Sequence, residues 1–93
     1  MEIIFKKSFL KNLKVTPKHI QECAREIIEK LETSKNLVSS GFDCKRMEGQ
    51  KKNENYYRIR IGNWRMGIEY LDPNVALITI LHRSTIYKQF PPK

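Results

Sequence analysis

Three closely spaced arginines, Arg58, Arg60 and Arg65, flank a Gly62-Asn63 turn, and their spacing gathers them on one face of a single hairpin. Side chains alternate along a strand, so Tyr56, Arg58 and Arg60 share one side of Tyr56–Ile61 while Tyr57, Ile59 and Ile61 line the other. The apolar set belongs to a core and the arginines face out. With Gly62-Asn63 as a two-residue hairpin loop, Ile61 pairs with Trp64, Arg60 lies across from Arg65, and Arg58 lies across from Gly67. Opposed guanidinium groups repel. An anion between them removes that cost, and the planar fork of arginine fits phosphate oxygens, so this hairpin suits a phosphodiester on which negative charge develops. Arg83 joins the cluster if the last strand runs beside Trp64–Leu71, and His82 and Tyr87 then supply groups able to move protons.

The elements that must position these residues follow from periodicity. Glu2–Phe5 reads as a short strand, and Lys6–Leu13 as a short helix with Phe9, Leu10 and Leu13 at helical spacing. Thr16 as N-cap and Pro17 at the first helical position open a longer helix over Pro17–Thr33, whose stripe is Ile20, Cys23, Ala24, Ile27, Ile28 and Leu31. Its other face is charged, so one stripe alone is buried. Ser39-Ser40-Gly41 punctuates the chain, and Phe42–Met47 reads as a second strand before the polar loop Gln50–Asn55. Trp64–Leu71 alternates again, with Trp64, Met66, Ile68 and Tyr70 on the core side. After the Asp72-Pro73-Asn74 turn, Val75–Leu81 is almost continuously apolar, as a central strand covered on both faces requires. The expected fold is α+β: a small antiparallel sheet with two N-terminal helices packed on one face and a short C-terminal helix, about Ser84–Gln89.

With 93 residues the chain is expected to form one domain over 1–93. Its formal charge of +8, from 18 Lys plus Arg against 10 Asp plus Glu, favours a polyanionic partner. Cys23 and Cys44 fit no disulfide framework, which points to a reducing, cytoplasmic location. No apolar run is long enough to cross a bilayer, so no membrane partner is expected, and the start MEIIFKKSFL lacks the features of a signal peptide. His19, His82 and the two cysteines show no metal-ligand spacing, and there is neither a phosphate-binding glycine loop nor a Ser or Cys nucleophile constellation. Neither a metal nor a cofactor is expected.

Met47-Glu48-Gly49, the hairpin Tyr57–Met66, and His82-Arg83 followed by Tyr87 together resemble the RelE/ParE superfamily of toxins from toxin–antitoxin pairs. They look like the family's apolar-x-Gly, its Tyr-Arg-apolar-Arg-x-Gly-x-aromatic-Arg hairpin and its terminal His-Arg-x-x-x-Tyr. The superfamily contains RelE-like members that cut mRNA in the ribosomal decoding site and ParE-like members that inhibit DNA gyrase. Fold alone does not separate them. The resemblance implies a type II toxin acting as a ribosome-dependent, metal-independent endoribonuclease that uses the RNA's own 2′-hydroxyl and is neutralised by a cognate antitoxin. The alternatives are a ParE-like gyrase inhibitor and a toxin-fold protein that has lost catalysis.

Carried over by position, the catalytic set is Arg58, Arg60, Arg65, Arg83 and Tyr87, with Lys45, Arg46, Lys51 and Lys52 as contacts to RNA or the ribosome. The best-known RelE-like pattern has lysines at the two strand positions, one of them proposed as general base, where this chain has arginines. Arginine is a poor base. The proton acceptor therefore falls to His82, Tyr87 or Glu48. An antitoxin is expected to mask the arginines or to cover or displace the terminal helix, which Ile86, Tyr87 and Phe90 would anchor loosely.

Overall fold

The computed structural model describes residues 1–91, with the backbone alone for Val38. In chain order the elements are β1 (Glu2–Phe5), α1 (Lys7–Lys14), α2 (Lys18–Thr33), α3 (Leu37–Ser40), β2 (Cys44–Arg46), β3 (Tyr56–Ile61), β4 (Trp64–Leu71), β5 (Asn74–His82) and α4 (Arg83–Gln89). The five strands form one sheet in the order β1-β5-β4-β3-β2. The apolar run of β5 lies between two neighbours, with Val75, Ala76, Leu77, Thr79 and Ile80 all buried. The sheet is mixed instead of purely antiparallel, because β1 runs parallel to β5, from Glu2 opposite Asn74 to Phe5 opposite Leu77. A parallel pair needs a long crossover, and the chain between Phe5 and Asn74 supplies it.

Ile20, Ala24, Ile27 and Leu31 of α2, together with Phe9 of α1, close over Ile59, Ile61, Met66, Ile68, Val75, Leu77 and Ile80. The buried stripe of α2 is narrower than its sequence suggests, since Cys23 falls to the flank and is exposed and Ile28 is half-buried. Pro17, without a side-chain cap, precedes α2. Thr16 serves the helix behind it instead: its hydroxyl donates to Asn12 O at 2.8 Å, and Gln21 Nε2 ties Leu13 O and Thr16 O at 2.8 and 2.9 Å. Asn12 O and Leu13 O belong to the last turn of α1, where carbonyls lack helical partners.

The opposite face of the sheet carries a second, smaller core. Met47, Ile86 and Phe90 are buried there, with Tyr56, Ile78 and Leu81 packed around them. α4 therefore lies across the arginine face and is not loosely anchored, because Ile86 is 0 % and Phe90 2 % exposed. Gly67 makes room for it: a Cβ there would come within 2.8 Å of Thr79 Cγ2 and 3.0 Å of the Phe90 ring. Among the described residues no helix is long and apolar enough to cross a membrane.

Candidate active site

β3 and β4 pair in the register that the turn demands, with Arg60 opposite Arg65, Arg58 opposite Gly67 and Ile61 opposite Trp64. β2 extends both rows, since Lys45 pairs with Arg58 and the Arg60 amide donates to Asp43 O at 3.0 Å. On the far side Trp64 meets His82 and Arg65 meets Leu81, which brings Arg83 to the hairpin end, its amide donating to Asn63 O at 2.8 Å. Backbone pairing thus gathers the arginines on one side of the sheet. Their side chains then separate into different environments.

Arg65 is not the exposed cation expected from alternation. It is 7 % exposed, and its Nη1 donates to Gly62 O at 2.8 Å and Trp64 O at 2.9 Å, clasping the turn from beneath. The face of β4 that Arg65 shares with Gly67 is not open to solvent, since Phe90 packs over Gly67. Arg65 Nε is buried without a partner among the described residues. The predicted repulsion between Arg60 and Arg65 is relieved in two ways: Arg65 turns to carbonyl oxygens, and Asp43 supplies a carboxylate. Asp43 Oδ1 lies 3.4 Å from Arg58 Nη1 and Oδ2 lies 3.9 Å from Arg60 Nη1. The Arg58 side chain is 13 % exposed and that of Arg60 56 %.

Between the β2–β3 loop and α4 lies a cleft of about 580 Å³. Met47 and Phe90 contribute its apolar surface, and Arg58, Tyr87, Lys45 and Lys88 line it together with the carboxylates of Glu48 and Glu54. Of the residues expected from sequence, Arg58, Tyr87, Lys45, Arg46 and Lys51 meet here, while Arg60, Arg65, Arg83, His82 and Lys52 do not line the cleft. Tyr87 is 59 % exposed, on the open side of α4.

The loop wall of the cleft is braced by Gln50. Its Nε2 donates to Met47 O and Tyr56 O at 2.7 and 2.9 Å, and its Oε1 accepts from the Tyr56 amide at 2.8 Å. Gly49 permits the accompanying turn with φ of 77°. Arg46 Nη2 donates to Glu54 O at 2.6 Å, so this expected RNA contact also holds the loop. Sequence reasoning missed Asp43, Lys88, Gln50 and Glu54. For Asp43 a signal existed, because it shares the parity of Lys45 on a strand that neighbours the arginines.

His82 caps α4. Its Nδ1 accepts from the Ser84 amide at 3.2 Å and lies 2.9 Å from Ser84 Oγ, while its ring meets Trp64 edge-on with centroids 5.6 Å apart. A neutral imidazole in that arrangement carries its proton on Nε2, and its one basic nitrogen is already engaged. Cys44 is no nucleophile, since burial pushes its thiol up to about 11, with Arg58 pulling against the shift and Asp43 adding to it.

The family model for the ParE toxin of type II toxin–antitoxin systems matches residues 3–87. Toxin RelE3 of Methanocaldococcus jannaschii is 41 % identical over 91 residues, 98 % of this chain and 100 % of that protein. The chain belongs to the ParE toxin family. The RelB–RelE antitoxin–toxin complex of Methanococcus jannaschii contains a chain 40 % identical to the toxin, with a TM-score of 0.79, covering 95 % of the toxin and 99 % of that chain. A RelE–RelB complex from Pyrococcus horikoshii OT3 shares the fold at 22 % identity and TM-score 0.68, covering 91 % and 97 % of the two chains. The toxin's hairpin and N-terminal helices fall within residues 3–87, as does α4 as far as Tyr87.

Proposed function

We propose that this toxin cuts mRNA on the ribosome and that the reaction takes place in the cleft between Arg58 and Tyr87. The observation that carries the reading is the meeting of a largely buried guanidinium, an exposed phenol, carboxylates and lysines in one open groove on a basic protein. The relatives named RelE support it.

The nucleophile is the substrate's 2′-hydroxyl, so no metal-bound water is needed. Its oxygen bonds to the adjacent phosphorus while the bond from phosphorus to the 5′-oxygen breaks, leaving a 2′,3′-cyclic phosphate and a 5′-hydroxyl. Arg58, aided by Lys45 and Lys88, stabilises the charge on the phosphoryl oxygens. Glu48 and Tyr87 line the same cleft, Glu48 taking the 2′-hydroxyl proton and Tyr87 delivering one to the departing oxygen. The ribosome orients the RNA, which lessens the proton-transfer work asked of the protein. Within a cytoplasm that holds ribosomes, a cognate antitoxin keeps the toxin silent. The relatives solved as antitoxin–toxin complexes support that partner.

Single-turnover cleavage of ribosome-bound mRNA tests this directly. Arg58→Ala is expected to slow cutting about a hundredfold, the loss of one charge-assisted contact to a developing phosphorane. Tyr87→Phe slows it at least about tenfold. His82→Gln, which removes the cap and the ring contact with Trp64, leaves the rate of the folded protein unchanged. A chemical role for His82 and none for Tyr87 would overturn the assignment. Intact mRNA alongside inhibited DNA supercoiling would establish the ParE-like gyrase activity instead.

A further inference from the structure

Asp43 stands where a ligand anion would bind the strand arginines. It is half exposed, at 48 %, and among the described residues it is the acid ion-paired to Arg58 and Arg60. Its contacts are long: Arg58 Nη1 reaches Asp43 Oδ1 at 3.4 Å and Asp43 O at 3.5 Å, and Arg60 Nη1 is 3.9 Å from Oδ2. A guanidinium has five N–H donors, and good charge-assisted bonds are well under 3 Å. Arg58, largely buried at the cleft wall, is therefore held by an anion that satisfies it poorly.

We propose that Asp43 is a tethered stand-in for phosphate: it pairs with Arg58 and Arg60 beside the cleft, and RNA entering the cleft takes Arg58 from it. The inference rests on the RNA-cutting reading above. Because the carboxylate is attached to the same sheet, its effective concentration at the arginines is high. A lone phosphate gains only what it takes from Asp43. A polynucleotide also gains Lys45, Lys51 and Lys88, which line the same cleft, and so outcompetes the tether. Asp43 thus lowers the affinity for every phosphate alike, and the lysines give a polynucleotide the surplus needed to bind against it.

The test is fluorescence-anisotropy titration of the full chain with a 2′-O-methyl pentaribonucleotide, which cannot be cut, and competition by inorganic phosphate. Asp43→Asn keeps the shape of the side chain and removes the charge, and Asp43→Ser serves as a second variant. Both are expected to bind the oligonucleotide about three- to fivefold tighter at low salt, the scale of one exposed ion pair. Inorganic phosphate should compete at a correspondingly lower concentration. Adding Arg58→Ala to Asp43→Asn should erase the gain, and Glu22→Gln, an equal charge change on the exposed face of α2, should not reproduce it. Unchanged or weaker binding in both Asp43 variants overturns the proposal, as does a gain that survives Arg58→Ala. If Arg58→Ala alone leaves binding unaltered, the cleft is not the RNA site and the reading under Proposed function fails with it. Weaker binding by Arg58→Ala, with no gain on losing the Asp43 charge, removes only this inference.

Discussion

Arg65→Ala is the substitution that most sharply separates the structure from the motif. Read from the motif, Arg65 is an exposed catalytic cation whose loss silences the toxin at no cost in stability. The structure places it 7 % exposed, with Nη1 shared between Gly62 O and Trp64 O at 2.8 and 2.9 Å. Hydrogen bonds to a charged group contribute about 1.5–3 kcal/mol each, and releasing the unpartnered Nε returns roughly 1–3 kcal/mol of desolvation. For two such bonds the net loss centres on about 2.5 kcal/mol, or a fall in Tm of about 10–20 °C for a domain of this size. Urea unfolding of the wild type, Arg65→Ala and Arg65→Lys measures it. Lysine keeps the charge and loses the fork, so it should recover little of the difference. In a cellular assay Arg65→Ala should lower the amount of folded toxin, while protein refolded well below its midpoint still cuts. A variant that matches the wild type within about 0.5 kcal/mol yet fails to cut would refute the clasp and restore Arg65 to the reaction.

Three further outcomes follow from the second core and the half-buried thiol. Gly67→Ala should destabilise the protein by about 1–3 kcal/mol through overpacking, because the new methyl meets Thr79 Cγ2 at 2.8 Å and the Phe90 ring at 3.0 Å; chemical denaturation reads this, and a neutral result would show that Phe90 moves aside freely. Ile86→Ala should cost about 2–5 kcal/mol and raise amide exchange along α4, since Ile86 is 0 % exposed beneath it. Iodoacetamide at pH 8 should label exposed Cys23 first, with Cys44 slower than a thiol at the ordinary 9.0 by about a hundredfold in thiolate fraction, its own value being about 11; comparable labelling in the native protein, read by peptide mass spectrometry, would contradict its burial.

The hairpin was readable because its information is local. Alternation in Tyr56–Ile61 and the two-residue turn fix Arg60 opposite Arg65 whatever surrounds them. That β5 lies inside the sheet and not at its edge was equally plain from its apolar run. What local pattern cannot supply is the covering of a face. Alternation assigned Arg65 and Gly67 to the side opposite the main core, and they are on it, but that side is itself roofed by Ile86 and Phe90. The i, i+4 spacing of those two residues and a glycine within a strand were the available signs of a second packing surface. Thr16 shows the same limit, because an N-cap signal and a hydrogen bond back to Asn12 compete for one hydroxyl, and tertiary context decides.

Three placements on this face run against local preference. Arg60 stands opposite Arg65. Arg83 begins α4, whose first turn carries no acid, so a cation sits at the positive end of the helix dipole. Arg65 Nε is buried without a partner among the described residues. A sequence under selection for stability alone would relieve each by a single substitution, and proteins accept such conflicts mainly where function requires them. Among the described residues the carboxylate paired with Arg58 and Arg60 is that of Asp43, at 3.4 and 3.9 Å. On the RNA-cutting reading proposed above, an unfavourable density of cations held by a clasped turn and a fixed helix is the arrangement a polyanion would relieve.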